Sequence, residues 1–170
     1  MNVEIAPGAA EPVADRRQRL LASAMRALNA ALAGENILKT TADGVFLLSE
    51  VMQLGGPELQ EAQVNAVGAT LQALLPPLAD AVGSGVSHQR IAVAMGATFQ
   101  AFQLCCGSSE RRNTVTREEA ADLGDAMRWL RAALEELHHR RQIEARGDAL
   151  FRYAMGRYVF DNTALHGKPH

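Results

Sequence analysis

Two stretches of this chain are near-copies of each other. Residues 65–74 read NAVGATLQAL and residues 93–102 read VAMGATFQAF. A fainter third copy, ADLGDAMRWL, occupies 121–130, so Gly68, Gly96 and Gly124 recur at an even spacing of 28 residues. Each copy has the form apolar-Gly-x-x-apolar-x-x-apolar, which places one apolar stripe along a helix. Glycine inside a helix costs about 1 kcal/mol relative to alanine. Its repeated use predicts that each of these glycines sits where two helices approach closely, Gly96 above all.

The rest of the chain supports helices. Alanine, leucine and glycine abound, aromatics make up 5%, and no β-branched run alternates with period two. This predicts an all-α fold, a single compact bundle of five to seven helices. The 170 residues suffice for one core. The expected organisation is a flexible N-terminal tail over 1–12, a helical domain over 13–160 and a flexible C-terminal tail over 161–170.

The first helix is expected from Val13 to Ala33, with Leu21, Met25, Leu28 and Leu32 on its buried face and Arg16, Arg17 and Arg19 decorating its start. Gly34 ends it. A second helix follows from Asn36 to Leu54, with Asp43-Gly44 as a possible interruption. Gly55-Gly56-Pro57 marks a boundary. The third helix runs from Pro57 to about Leu75, where Pro76-Pro77 should end or bend it. Between His88 and Gly107 the only formal charge is Arg90, which predicts a fourth helix, about 88–106, placed centrally and buried on nearly every face.

Thr116 and Glu119 form a capping-box pattern opening a fifth helix to about Arg146. Leu123, Met127, Leu130, Leu134 and Leu137 give it a leucine seam. Gly147 should break it, leaving a last helix over 148–160.

Functional signals are sparse. The net charge of −2 gives no global pull toward nucleic acid or membrane. The basic residues are nearly all arginine, as in a GC-rich bacterial genome. No secretory signal is visible, and the most apolar stretch, Ile91 to Cys106, is too short to span a membrane. Cys105 and Cys106 are adjacent in an apolar setting and read as reduced core cysteines of a cytoplasmic protein. His138, His139 and Glu135 read as a solvated helix face, so neither a metal nor a cofactor is expected. No nucleophile elbow, phosphate loop or dinucleotide fingerprint is present, and the chain reads as no enzyme.

What remains points to binding. Phe151, Tyr153, Tyr158 and Phe160 are four of the chain's eight aromatics, packed into ten residues beside Arg152 and Arg157. Aromatic and arginine side chains carry much of the energy of protein interfaces. Arg111 and Arg112, in a polar loop, could grip a carboxylate or phosphate. The sequence therefore reads as a bacterial interaction protein, an adaptor, regulator or inhibitor of a larger complex. Its partner would be another protein or a second copy of itself.

Two alternatives stand beside this. Residues 88–107 have a helix-turn-helix-like pattern with its turn at Gly96, in which Thr98, Gln100 and Gln103 would read bases as part of a DNA-binding regulator. The absence of arginine or lysine from the presumed recognition helix weighs against it. The second alternative is a bundle that holds a small apolar ligand or haem between its helices.

Overall fold

The computed structural model describes residues 11–83, 88–108 and 115–166, with side chains through Gly156. It is all-α. Among the described residues five helices follow one another: α1 (Val13–Leu32), α2 (Ile37–Leu54), α3 (Glu61–Val82), α4 (His88–Cys106) and α5 (Arg117–His166). The chain divides into two compact units at Glu135–Glu136. The first is a helical bundle made of α1 to α4 and the start of α5. The second consists of the remainder of α5.

The bundle begins with an α1–α2 hairpin. Gly34 (φ 86°) and Asn36 (φ 42°) adopt left-handed backbone, which reverses the chain after α1. The Glu35 amide donates to the Ala30 carbonyl and the Thr40 hydroxyl to the Glu35 carbonyl, which satisfies orphan groups at the turn. At the start of α1 the Glu11 carboxylate accepts from Arg19 at 3.0 Å. That hydrogen bond, and the charge of Glu11, raise the Arg19 pKa above its usual value.

The buried face of α1 keeps Leu21 and Leu28 of the expected stripe, with Met25 half-buried, and departs from it elsewhere. Arg17, Leu21, Ala24, Leu28 and Ala31 are buried, whereas Leu32 is exposed. The alanines let α2 come close, and Gly44 completes the contact. A Cβ on Gly44 would fall 2.7 Å from Leu28 Cγ, so the glycine interrupts nothing and instead seats Leu28.

Helix α3 starts at Glu61, later than Pro57, with the Gln63 side chain accepting from the Gln60 amide at 3.3 Å. Pro76 and Pro77 lie inside the helix without ending it. Burial of Leu71 and Leu74 before them, and of Leu78 and Val82 after them, holds both halves against the core and offsets the lost amide donors.

Helix α4 packs antiparallel on α3, with Phe99 lying over Gly68 and the Leu59 amide bonded to the Cys106 carbonyl at 2.8 Å. The two near-repeats therefore run past each other in opposite directions. Gly68 behaves as the repeat predicts: a Cβ there would fall 2.6 Å from Phe99 Cε2. Gly96 does not. It is exposed, and a Cβ would meet nothing within 4 Å. Leu71, the residue that corresponds to Phe99 in the other copy, is buried, and its side chain does not cover Gly96. Gly124 meets only the end of the Arg128 side chain.

Helix α4 is consequently buried along one face and not all round. Ile91, Met95 and Phe102 are buried and Phe99 is half-buried. Val93 is 65% exposed on the other side.

The Thr116–Glu119 capping box forms as expected, with the Glu119 amide donating to the Thr116 hydroxyl at 3.1 Å and the Glu119 carboxylate accepting from the Thr116 amide at 3.3 Å. Met127, Leu130 and Leu134 are buried and Leu123 is half-buried, so this stretch of the seam packs inside the bundle. Two arginine–aromatic contacts dock this part of α5: Arg90 of α4 lies 4.7 Å from the Trp129 ring centroid and Arg131 lies 4.1 Å from that of Phe46 in α2.

Helix α5 passes through Gly147 and continues to His166, so there is no separate last helix and residues 161–166 are helical. Glycine weakens a helix by about 1 kcal/mol relative to alanine but does not forbid one, and the good helix formers on both sides carry the helix through. Residues 1–10 and 167–170, the ends of the two expected tails, lie outside the described residues.

Candidate docking surface

From His139 to Gly156 every residue of α5 is exposed. A solvated helix normally carries few large apolar side chains, yet this one carries Ile143 (55% exposed), Leu150 (68%), Phe151 (65%), Tyr153 (65%) and Met155 (46%). Ile143, Gly147, Leu150 and Ala154 follow steps of four, three and four, which aligns them on one face, with Phe151 on its flank.

Arg140, Arg141, Arg146 and Arg152 stand among these residues and are also exposed. Residues 136–170 hold six lysines and arginines against four acidic residues, whereas residues 1–135 hold 11 against 15. The second unit is thus a basic helix with an apolar stripe, and the first unit is acidic.

Of the expected interface residues, the structure places Phe151, Arg152 and Tyr153 on this exposed segment. Arg157, Tyr158 and Phe160 continue the same helix, and their side chains lie outside the described residues. Arg111 and Arg112 also lie outside the described residues. Ile143, Leu150 and Met155 belong to the surface and were missed by a reading that attended to aromatics. The seven-residue spacing of Ile143 and Leu150 is the signal that marks them.

The helix-turn-helix geometry is absent. Residues 88–106 form one unbroken helix through Gly96. Thr98 is fully buried, its hydroxyl donating to the Ala94 carbonyl at 2.9 Å, so it cannot reach a base. Gln100 is exposed and Gln103 half-buried. Both instead line a cleft of about 400 Å³ between α4 and the start of α5, with Leu104, Val115, Leu123, Glu119 and Asp122.

The cysteines separate, because adjacent helical side chains point about 100° apart. Cys106 is buried in the core, while Cys105 is exposed, which corrects the expectation of two core thiols. Among the described residues no three His, Cys, Asp or Glu side chains gather to hold a metal, and no helix is long and apolar enough to cross a membrane. Glu135 pairs with Arg131 at 3.0 Å.

Arg17 is the functional-looking residue that turns out to be architectural. It is 1% exposed, and among the described residues its hydrogen-bond acceptors are backbone carbonyls. Its guanidinium donates to the Pro57 carbonyl and, at 3.3 Å, to the Cys105 carbonyl. It thereby ties α1 to the Gly55-Gly56-Pro57 turn and to the C-terminal end of α4, where the helix dipole is negative. The signal was its position one turn before Leu21, on the same helical face.

Compared with known protein families, curated proteins and solved structures, the chain matches none.

Proposed function

We propose that this chain is a non-catalytic interaction protein that engages another protein through the C-terminal part of α5. The observation that carries this reading is the apolar stripe Ile143–Leu150–Phe151, exposed between arginines. A helix gains most of its stability from packing its apolar face, and large exposed apolar patches mark interaction sites. The partner this surface suits presents an apolar groove rimmed by carboxylates. The arginines would then steer the encounter and the apolar anchors would hold it. On this reading the chain acts as an adaptor, regulator or inhibitor of a larger assembly.

The test compares the full chain with its Leu150→Glu/Phe151→Glu variant, each cross-linked to its neighbours in an extract of the source cells. Both residues are exposed, so the variant should unfold at the same temperature as the parent. The expected result is a protein captured by the parent and lost from the variant. Identical captures from the two would overturn the reading.

A further inference from the structure

We propose that the C-terminal stripe of one copy docks head-to-tail into the cleft between α4 and the start of α5 of a second copy. This rests on the reading of the stripe as a docking surface. It supplies what that reading asks for, an apolar groove rimmed by carboxylates.

The first observation is the cleft. It holds about 400 Å³, at the small end of the about 300–1,000 Å³ of sites that take a small molecule. That is room for large side chains but not for a whole helix. Leu104, Val115 and Leu123 line it and are each half-buried, so they keep apolar surface in contact with water. The charged residues of its lining are Glu119 and Asp122, both exposed. They stand three residues apart on α5 and so share one side of the helix. The groove between α3 and α4 has no charged residue in its lining, and the one beside Trp129 sets Arg90 against Asp125. Glu58 and Glu61 rim a further opening, but its Leu59 and Val64 are already buried.

The second observation is that the stripe complements this cleft in charge and in chemistry. Leu150 and Phe151 project into solvent. Arg146 precedes Leu150 by four residues, so it stands one turn away on the same side of the helix. Anchors that fill the apolar floor therefore bring a guanidinium to the rim, where Glu119 and Asp122 offer carboxylates. The two units agree in sign, with 11 basic against 15 acidic residues over 1–135 and six against four over 136–170. Opposite charge on the two surfaces also decides the mode of pairing. A two-fold contact of cleft with cleft sets carboxylates against carboxylates, whereas stripe with cleft sets arginine against carboxylate. Such a heterologous contact leaves a stripe at one end and a cleft at the other, so it extends into a chain or closes into a ring.

Sedimentation equilibrium of the full chain tests this, over a series from about 1 µM to about 1 mM because a contact through one helix face is small and weak. The parent should self-associate within that range. Leu150→Glu/Phe151→Glu in the stripe and Gln100→Arg/Asp122→Arg in the cleft change exposed residues. Each should weaken self-association by about 100-fold or more, because like charges then meet in the contact. Mixed in equal amounts, the two variants should associate again as a one-to-one complex, since the first keeps its cleft and the second its stripe. A variant that had lost its fold could not do so. A parent that stays monomeric throughout overturns the proposal, and the capture from extract then still decides whether the stripe docks on another protein. Association that survives either variant also overturns it, and so does a mixture that stays monomeric.

Discussion

Replacing Arg17 by alanine is expected to lower the stability of the bundle by about 2–4 kcal/mol, although the residue is charged and its acceptors among the described residues are carbonyls. The side chain is 1% exposed and bonds two backbone carbonyls, those of Pro57 and Cys105. Removing it takes the donor from two part-buried carbonyls, at up to about 1–3 kcal/mol for the pair, and also deletes the packing of the aliphatic stem. Relief of the desolvated charge offsets part of this, since a buried arginine is expensive to keep. Among the described residues its Nε has no hydrogen-bond partner. Arg17→Met separates the terms. It restores the stem without the donors and should regain part of the loss, remaining less stable than the parent by roughly 1–2 kcal/mol. Urea unfolding followed by circular dichroism measures both. An Arg17→Ala protein as stable as the parent would show that the contacts to the turn and to α4 contribute nothing.

Phe102→Ala is expected to cost about 3–5 kcal/mol, the usual range for deleting a buried aromatic side chain. Phe102 is fully buried on the inner face of α4. Phe99, one turn earlier, is a natural comparison. It is half-buried and covers Gly68 at the bundle surface. Phe99→Ala should therefore lose clearly less than Phe102→Ala, because its ring already meets water and the gap it leaves opens to solvent. Chemical denaturation of the two variants checks the order. Equal losses would mean that the outer face of α4 is as well packed as the inner one.

Much of the helical layout was legible from sequence because local chemistry decided it. Gly34 and Gly55 end helices by adopting backbone that other residues avoid, and Thr116 with Glu119 supplies its own cap. The leucine seam of α5 read correctly at Met127, Leu130 and Leu134, where period and burial agree. What was not legible depends on the neighbouring element. The near-repeat assigned Gly68 and Gly96 the same role, but only Gly68 has an aromatic ring lying over it. Gly147 read as a break and Pro76-Pro77 as an end or a bend. A helix crosses such residues when its flanks pack well or form helix readily, and sequence alone does not weigh the two sides. Arg17 read as a surface charge because arginine almost never lies fully buried. Its acceptors are backbone carbonyls 40 and 88 residues away, which no pattern of side chains announces.

The candidate surface shows the same division. Clustered aromatics near the C-terminus pointed to Phe151 and Tyr153, both exposed as a docking element requires. The aliphatic half of the surface escaped notice because Ile143 and Leu150 were assigned to separate helices on either side of Gly147. With α5 continuous, their seven-residue spacing becomes one stripe.

The proposed docking role requires that the bundle be complete without this stripe. The most direct test is the thermal unfolding of a chain ended after Gln142, compared with the full-length protein. One cooperative transition at the same midpoint is expected in both, because the buried core runs no further along α5 than Leu134 among the described side chains. A truncated chain that melts well below the full-length protein, or shows no cooperative transition, would contradict it. The stripe would then be part of the core.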